Sequence, residues 1–435
     1  MLVQFSVRNF KVFREEVKLT LFASNYDKTT RETENVFTEP KFGLRLLKSA
    51  IVYGANASGK TKLIDAAHFM KDFILNSSKE SQQGEKIDTE PFRLNTISAL
   101  EPSMFEIIFI HEGEMYRYGF EVTQDEIVSE WLYHRPHTKE VEIFYREGQE
   151  FSTHPRVFRK GNFLVKEGMI RRNALMLSVA AQFNDRLAEK VFKWLEKFRQ
   201  LSGLHEAGYL GFSMARVEIS KKIIVSFLQE ADMGIEDISV KKMDPSSLPD
   251  GLPNEVKDSI RKKIEEDESV FFEGLKTYHS VYDEKGNFNR LEEFSLEEEE
   301  SSGTMKFFAL TGPIFSAIEN GEILFIDEID SKLHPNLLNK IFQLFNSAKT
   351  NPKNAQIISN THNTNLLESG IFRRDQIWFV QKDRFGSASL YSLASFKTDE
   401  GGRKGDNFEQ KYLEGRYGGV PVLGDFSEIF HFENI

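Results

Sequence analysis

Gly54-Ala55-Asn56-Ala57-Ser58-Gly59-Lys60-Thr61 satisfies G-x-x-x-x-G-K-[ST] at every position. Average composition makes a chance match in a chain this long rare, on the order of 2%. The flanks agree with the pattern. Ala50-Ile51-Val52-Tyr53 is a short apolar run that reads as a buried strand, and Lys62 to Leu75 reads as a helix. A glycine-rich turn between a strand and a helix is a phosphate cradle, because backbone N–H groups can close around phosphate oxygens at the positive end of the helix dipole. Gly54, Asn56, Ser58, Gly59, Lys60 and Thr61 are therefore the expected nucleotide-binding residues. Lys60 would neutralise the β- and γ-phosphates of ATP, and Thr61 would ligate Mg²⁺.

Downstream segments fit the same chemistry. Ile323-Leu324-Phe325-Ile326-Asp327-Glu328 is an apolar strand ending in acids, a Walker B pattern. Asp327 would hold Mg²⁺ and Glu328 would polarise an attacking water as general base. Glu300-Ser301-Ser302-Gly303-Thr304 opens a helix-like run from Met305 to Ile318. Small residues at a helix start suit phosphate binding through N–H groups and a hydroxyl. Gln356-Ile357-Ile358-Ser359-Asn360-Thr361-His362 reads as a strand ending in a histidine that can sense a γ-phosphate.

Composition narrows the alternatives. The chain has 435 residues, no cysteine, and 56 Lys+Arg against 67 Asp+Glu, for a net charge of −11. Zero cysteine excludes disulfides, thiolate metal sites and thiol catalysis, and fits a reducing, cytoplasmic setting. The acidic balance argues against coating nucleic acid by bulk charge, although a local basic groove is compatible with it. No window is apolar enough to span a membrane. His134, His137 and His154 have no helical pairing and do not read as a metal site. The 39 phenylalanines predict a large aromatic core.

Organisation follows from periodicity. Residues 2 to 22 read as two strands and 25 to 45 as loop. Phe105 to Tyr145 reads as an antiparallel sheet. Leu187, Val191, Trp194, Leu195 and Phe198 recur at helical spacing, with more helix expected at Val217 to Leu228 and Glu255 to Ile264 around a loop at Asp244 to Gly251. Strands resume at Val270 to Val281 and Leu291 to Leu296. The expected division is thus 1–182 (phosphate loop and β lobe), 183–268 (mainly helical insert) and 269–435. The insert holds 14 Lys+Arg and 17 Asp+Glu, so it is no evident nucleic-acid arm.

The order of these motifs resembles the ABC-type ATPase heads of the RecF, SMC and OLD group, and Arg8-Asn9-Phe10-Lys11-Val12-Phe13 resembles that group's N-terminal segment. Within the group the chain is most similar to the compact AAA ATP-binding proteins of the RloA and abortive-infection type. Glu300 to Thr304, Arg373 to Phe379 and Tyr412-Leu413-Glu414-Gly415-Arg416-Tyr417-Gly418-Gly419-Val420-Pro421 carry that similarity. The resemblance implies an α/β fold: an ABC-type (SMC/RecF-like) P-loop ATPase head with an antiparallel β lobe and a helical insert. It implies that Ser301 and Gly303 form a signature loop reaching the γ-phosphate on a partner subunit, although Ser302 and Thr304 stand where the usual signature has glycine and glutamine. Asp330 matches the D-loop, His362 the H-loop, and Gln182 the Q-loop position that contributes to the metal site.

The resemblance also implies a homodimer that closes over ATP and opens on hydrolysis. The leading expectation is an ATPase subunit of a prokaryotic antiviral defence system. OLD-type proteins carry a nuclease domain after the head; only about 70 residues follow His362, so a separate nuclease or toxin is the expected effector. The alternative is a DNA-repair or chromosome-maintenance ATPase that clamps DNA. A transporter subunit fits the divergent signature poorly. The acidic run Glu297 to Glu300 reads either as a solvated face or as a repulsive gate to the incoming triphosphate.

Overall fold

The computed structural model describes residues 1–79, 84–242, 272–396 and 407–425. The chain divides into two compact units, Met1–Glu196 with the chain from Asn360 onward, and Lys197–Ser359. The helix expected at Glu255–Ile264 and the loop at Asp244–Gly251 lie outside the described residues.

In the first unit a seven-stranded antiparallel sheet runs in the order Glu150–Thr153, Val141–Glu147, Ile127–Arg135, Glu114–Val122, Ser103–His111, Leu2–Arg8, Val17–Thr20. Alternation along Ser103–His111 and Glu114–Val122 sends Phe105, Ile107, Phe109, Tyr116, Tyr118 and Phe120 into the core. Phe105 lies opposite Phe120, with ring centroids 5.3 Å apart. The helix Lys60–Asn76 seats on that pair through Phe69, 5.0 Å from Phe105, and Phe73, 5.5 Å from Phe120. Burying a phenylalanine stabilises by about 1.5–3 kcal/mol, so this aromatic contact holds the helix after the phosphate loop on the sheet.

Between the first two strands, Arg8-Asn9-Phe10-Lys11-Val12-Phe13 turns back on itself, Phe10 and Phe13 exchanging backbone hydrogen bonds of 3.0 and 2.9 Å. Asn9 Nδ2 donates to the carbonyls of Ser98 and Glu101, and Lys11 Nζ pairs with Asp65 (3.1 Å) of the phosphate-loop helix. The segment singled out by resemblance thus ties the antiparallel sheet to that helix. Elsewhere in this unit, the fully buried strand Ser49–Tyr53 pairs in parallel with Ile377–Lys382, which pairs antiparallel with Ala388–Ser392. Part of the segment expected as loop is a hairpin, Val36–Glu39 with Leu44–Leu47. Its strands have four residues each and turn at Gly43 (φ 64°), too short to show a period in a polar stretch.

In the second unit Phe198–Ser202, Ile323–Asp327 and Gln356–Asn360 pair in parallel, and Asp237–Lys242, Phe272–Tyr282 and Phe288–Ser295 form an antiparallel sheet. Phe198, which fits the preceding helical period, belongs instead to a strand. Its ring stacks 4.5 Å from Phe325, and parallel pairing with the Walker B strand outweighs local periodicity. The helices Ala207–Glu230 and Ser302–Asn320 pack through Ser213. Pro313 has no N–H for the carbonyl of Ala309, and Ser213 Oγ donates there instead while accepting from Gly312 N (3.0 Å).

A buried carboxylate positions the helix Met176–Gln182. Glu130, fully buried in the antiparallel sheet, accepts from the N–H groups of Met176 (2.7 Å) and Leu177 (3.0 Å) and from Tyr118 Oη (2.9 Å), with Arg146 3.8 Å away. The charge both caps the helix and balances a buried guanidinium. Glu130→Ala is expected to lose about 3–5 kcal/mol of stability, measured by urea unfolding.

Candidate functional site

The strand Ser49–Tyr53 delivers the chain to Gly54, and the loop turns over a Ser58 N–H···O=C Ala55 bond of 3.1 Å. Gly59 has φ 115°, open to glycine and strained for other residues, and a Cβ there would lie 2.7 Å from Val12 Cγ2. The helix begins at once, with Leu63 N–H donating to Gly59 O (3.2 Å). Lys60 is 6% exposed, and its Nζ donates to the carbonyls of Gly54 (2.8 Å) and Ala55 (3.1 Å). An ammonium at a helix N-terminus meets a like partial charge, which these two carbonyls offset. Ser58 Oγ is buried with no hydrogen-bond partner among the described residues. Asn56 is exposed at the loop tip, and Thr61 is half-buried in the first helical turn.

His362 is exposed, and its neighbours are tied to the strand that feeds the loop. Thr361 N–H donates to Val52 O (3.1 Å), and Tyr53 Oη donates to Asn363 O (3.1 Å). The first unit therefore brings the phosphate loop and the His362 loop together. Gln182 is exposed at the end of Met176–Gln182. That helix meets the far end of the phosphate-loop segment, where Ser178 Oγ donates to Ser78 Oγ (2.7 Å).

The second unit joins the remaining motifs. Ser301 caps the helix Ser302–Asn320, its Oγ accepting from Thr304 N (3.0 Å). A Cβ on Gly303 would lie 2.8 Å from Lys332 O, so only glycine lets the start of this helix approach the turn after Walker B. In that turn Asp327 ends its strand, Glu328 has φ 49°, and Asp330 is half-buried. Of the acidic run, Glu300 accepts from Thr277 Oγ1 and pairs with His279 (both 2.6 Å), and Glu299 accepts from Ser295 N (2.6 Å). Those two carboxylates serve their own hairpin.

Sequence reading passed over Lys306. This fully buried lysine lies one turn into the helix after Ser301, and its Nζ donates to Glu328 O (3.2 Å) and Ser331 O (2.6 Å). Burial pushes its ammonium down to about 8, with Glu206 and Asp330 acting in the opposite direction. Lys332, beside it, pairs with the largely buried Glu206 (3.0 Å). The signal was a lone cation among Met305, Phe307, Phe308 and Leu310. Lys306 therefore holds the left-handed backbone of Glu328.

A glycine-rich strand–loop–helix cradle with a buried lysine defines an α/β P-loop fold. A family model described as "AAA domain, putative AbiEii toxin, Type IV TA system" matches residues 49–368, and the chain belongs to that family. The similarity to abortive-infection AAA proteins read from the sequence is borne out by this match. Among solved structures the chain is similar to the SMC head domain from Thermotoga maritima, at 13% identity and a TM-score of 0.39, covering 90% of this chain and 98% of that one. No curated protein matches. Among the described residues no helix is long and apolar enough to cross a membrane, and no cluster of three His, Asp or Glu could hold a metal by itself.

Lys306→Met is expected to leave two carbonyls without their buried donor, at a cost of about 2 kcal/mol in urea unfolding.

Proposed function

We propose that the chain binds ATP with Mg²⁺ and hydrolyses it as a two-state switch. The observation that carries this reading is the buried Lys60 ammonium, donating to the carbonyls of Gly54 and Ala55 within a glycine-rich turn at a helix N-terminus. Such a centre favours an anion of high charge. Gly54, Asn56, Ser58 and Gly59 are assigned to the phosphates through the loop backbone, and the unpartnered Ser58 Oγ supports an oxygen ligand there. Thr61 and Asp327 are assigned to Mg²⁺; the helix ending at Gln182 packs at Ser78, the far end of the Lys60–Asn76 helix from Thr61, so the expected metal role of Gln182 is not carried forward. Mg²⁺ commonly takes one or two protein oxygens and completes its shell with phosphate and water. When bound, the ion supplies charge neutralisation on the phosphates.

Glu328 is assigned as general base and His362 as the γ-phosphate sensor. Ser301 and Gly303 are assigned to the nucleotide of a second copy, with Asp330 linking the two sites, so the working form is a homodimer. The family's description names a putative toxin of a type IV toxin–antitoxin system, and the role proposed for this chain is in prokaryotic antiphage defence, acting with a separate nuclease or toxin as effector. DNA-stimulated turnover would instead favour a repair or chromosome-maintenance role.

Lys60→Ala is expected to weaken ATP binding at least about 30-fold by isothermal titration calorimetry, the worth of a charge-assisted phosphate contact. Glu328→Gln should keep ATP affinity, stop phosphate release and accumulate dimer in sedimentation velocity with ATP and Mg²⁺. Turnover near wild type in that variant would remove Glu328 as the base.

A further inference from the structure

The glycine-rich segment Tyr412 to Pro421 was marked by resemblance and has no role in the chemistry assigned above. In the first unit it lies against both nucleotide loops. Tyr412 is 6% exposed, and its hydroxyl donates to Gly419 O (3.1 Å). Burial pushes this hydroxyl up to about 12, so it keeps the proton it donates. Gly418 and Gly419 follow one another at φ 66° and 68°. A Cβ on Gly419 would lie 3.6 Å from Gly54 Cα and 3.5 Å from Val380 O, so the segment packs backbone to backbone on the root of the phosphate loop. Tyr412 also packs on Tyr53 and Phe379, at 5.7 and 5.4 Å between centroids.

The helix that carries Tyr412, Phe408–Leu413, grips the other loop. Thr364 Oγ1 donates to Glu409, and Asn407 Nδ2 donates to Glu368 Oε1 (2.9 Å). Both partners lie within six residues after His362. One short segment thus packs on the first residue of the phosphate loop through Gly419, which Tyr412 holds, and bonds to the stretch that follows His362.

We propose that Asn407 to Gly419 is a clasp that sets the phosphate loop and the His362 loop in one arrangement, with Tyr412 as its positioning residue. This rests on the reading of the phosphate loop as an ATP site. The clasp touches the loops from behind and contributes no group to the phosphates. Because binding linkage is reciprocal, bound ATP tightens the clasp as the clasp tightens ATP. Nucleotide occupancy is thereby reported to the C-terminal part of the chain.

The test compares Tyr412→Phe, which keeps the ring and loses the hydroxyl bond to Gly419, with Tyr116→Phe, which loses a buried hydroxyl bonded to Glu114 in the antiparallel sheet (2.7 Å). ATP–Mg²⁺ affinity is measured by calorimetry, and amide exchange over residues 407–419 is followed with and without ATP. The expected result is about fivefold weaker ATP binding in Tyr412→Phe alone. ATP should also slow exchange in the segment in wild type and do so less in that variant. Equal ATP affinity in wild type and Tyr412→Phe, with only a lowered melting temperature, would overturn the clasp. A wild-type chain that binds no ATP would overturn the proposed function and the clasp together.

Discussion

A buried cation at the start of a helix is the constraint around which the first unit is arranged. Lys60 adds a full positive charge to the positive end of the helix Lys60–Asn76. Its ammonium donates to the carbonyls of Gly54 and Ala55, which requires the loop to curl back over its own lysine. The curl in turn requires φ 115° at Gly59 and leaves no space for a side chain there beside Val12. The strand before it is fully buried and the helix after it is anchored by Phe69 and Phe73, so the loop ends cannot drift.

The second unit uses the same device in a different place. Lys306 is a buried cation whose partners are again backbone carbonyls, now those of Glu328 and Ser331. It fixes a left-handed residue next to the strand end that carries Asp327. Gly303 brings the Ser301 turn against Lys332, so the start of the helix Ser302–Asn320 and the turn after the strand Ile323–Asp327 cannot move independently. Two lysines in two units therefore each stabilise a loop whose proposed work is on phosphate.

Much of the site was legible because its signals are local. The G-x-x-x-x-G-K-T run, the apolar strand ending in Asp327-Glu328 and the small residues at Ser301 to Gly303 each describe one turn or one strand end, where composition and conformation are directly linked. The antiparallel sheet was legible from alternation over Ser103–His111 and its neighbours. Phe198 was misread because one apolar residue can satisfy a helical period and a strand at once. The hairpin at Val36–Leu47 was missed because four-residue strands carry too little pattern. Lys306 was visible as a residue but not as a contact, since its partners lie beyond the end of its own helix.

By itself the sequence determined the strand–glycine turn–helix of the phosphate-loop motif, the α/β class and the order of the motifs, because each depends on residues adjacent in the chain. Tertiary structure alone decided that Gly419 meets Gly54, that Glu409 meets Thr364, and that Glu130 caps the helix ending at Gln182. Those contacts join distant parts of the chain through shape, burial and a few hydrogen bonds. No local pattern records such pairings, because the free energy that selects them is released only when the sheets and helices have already assembled.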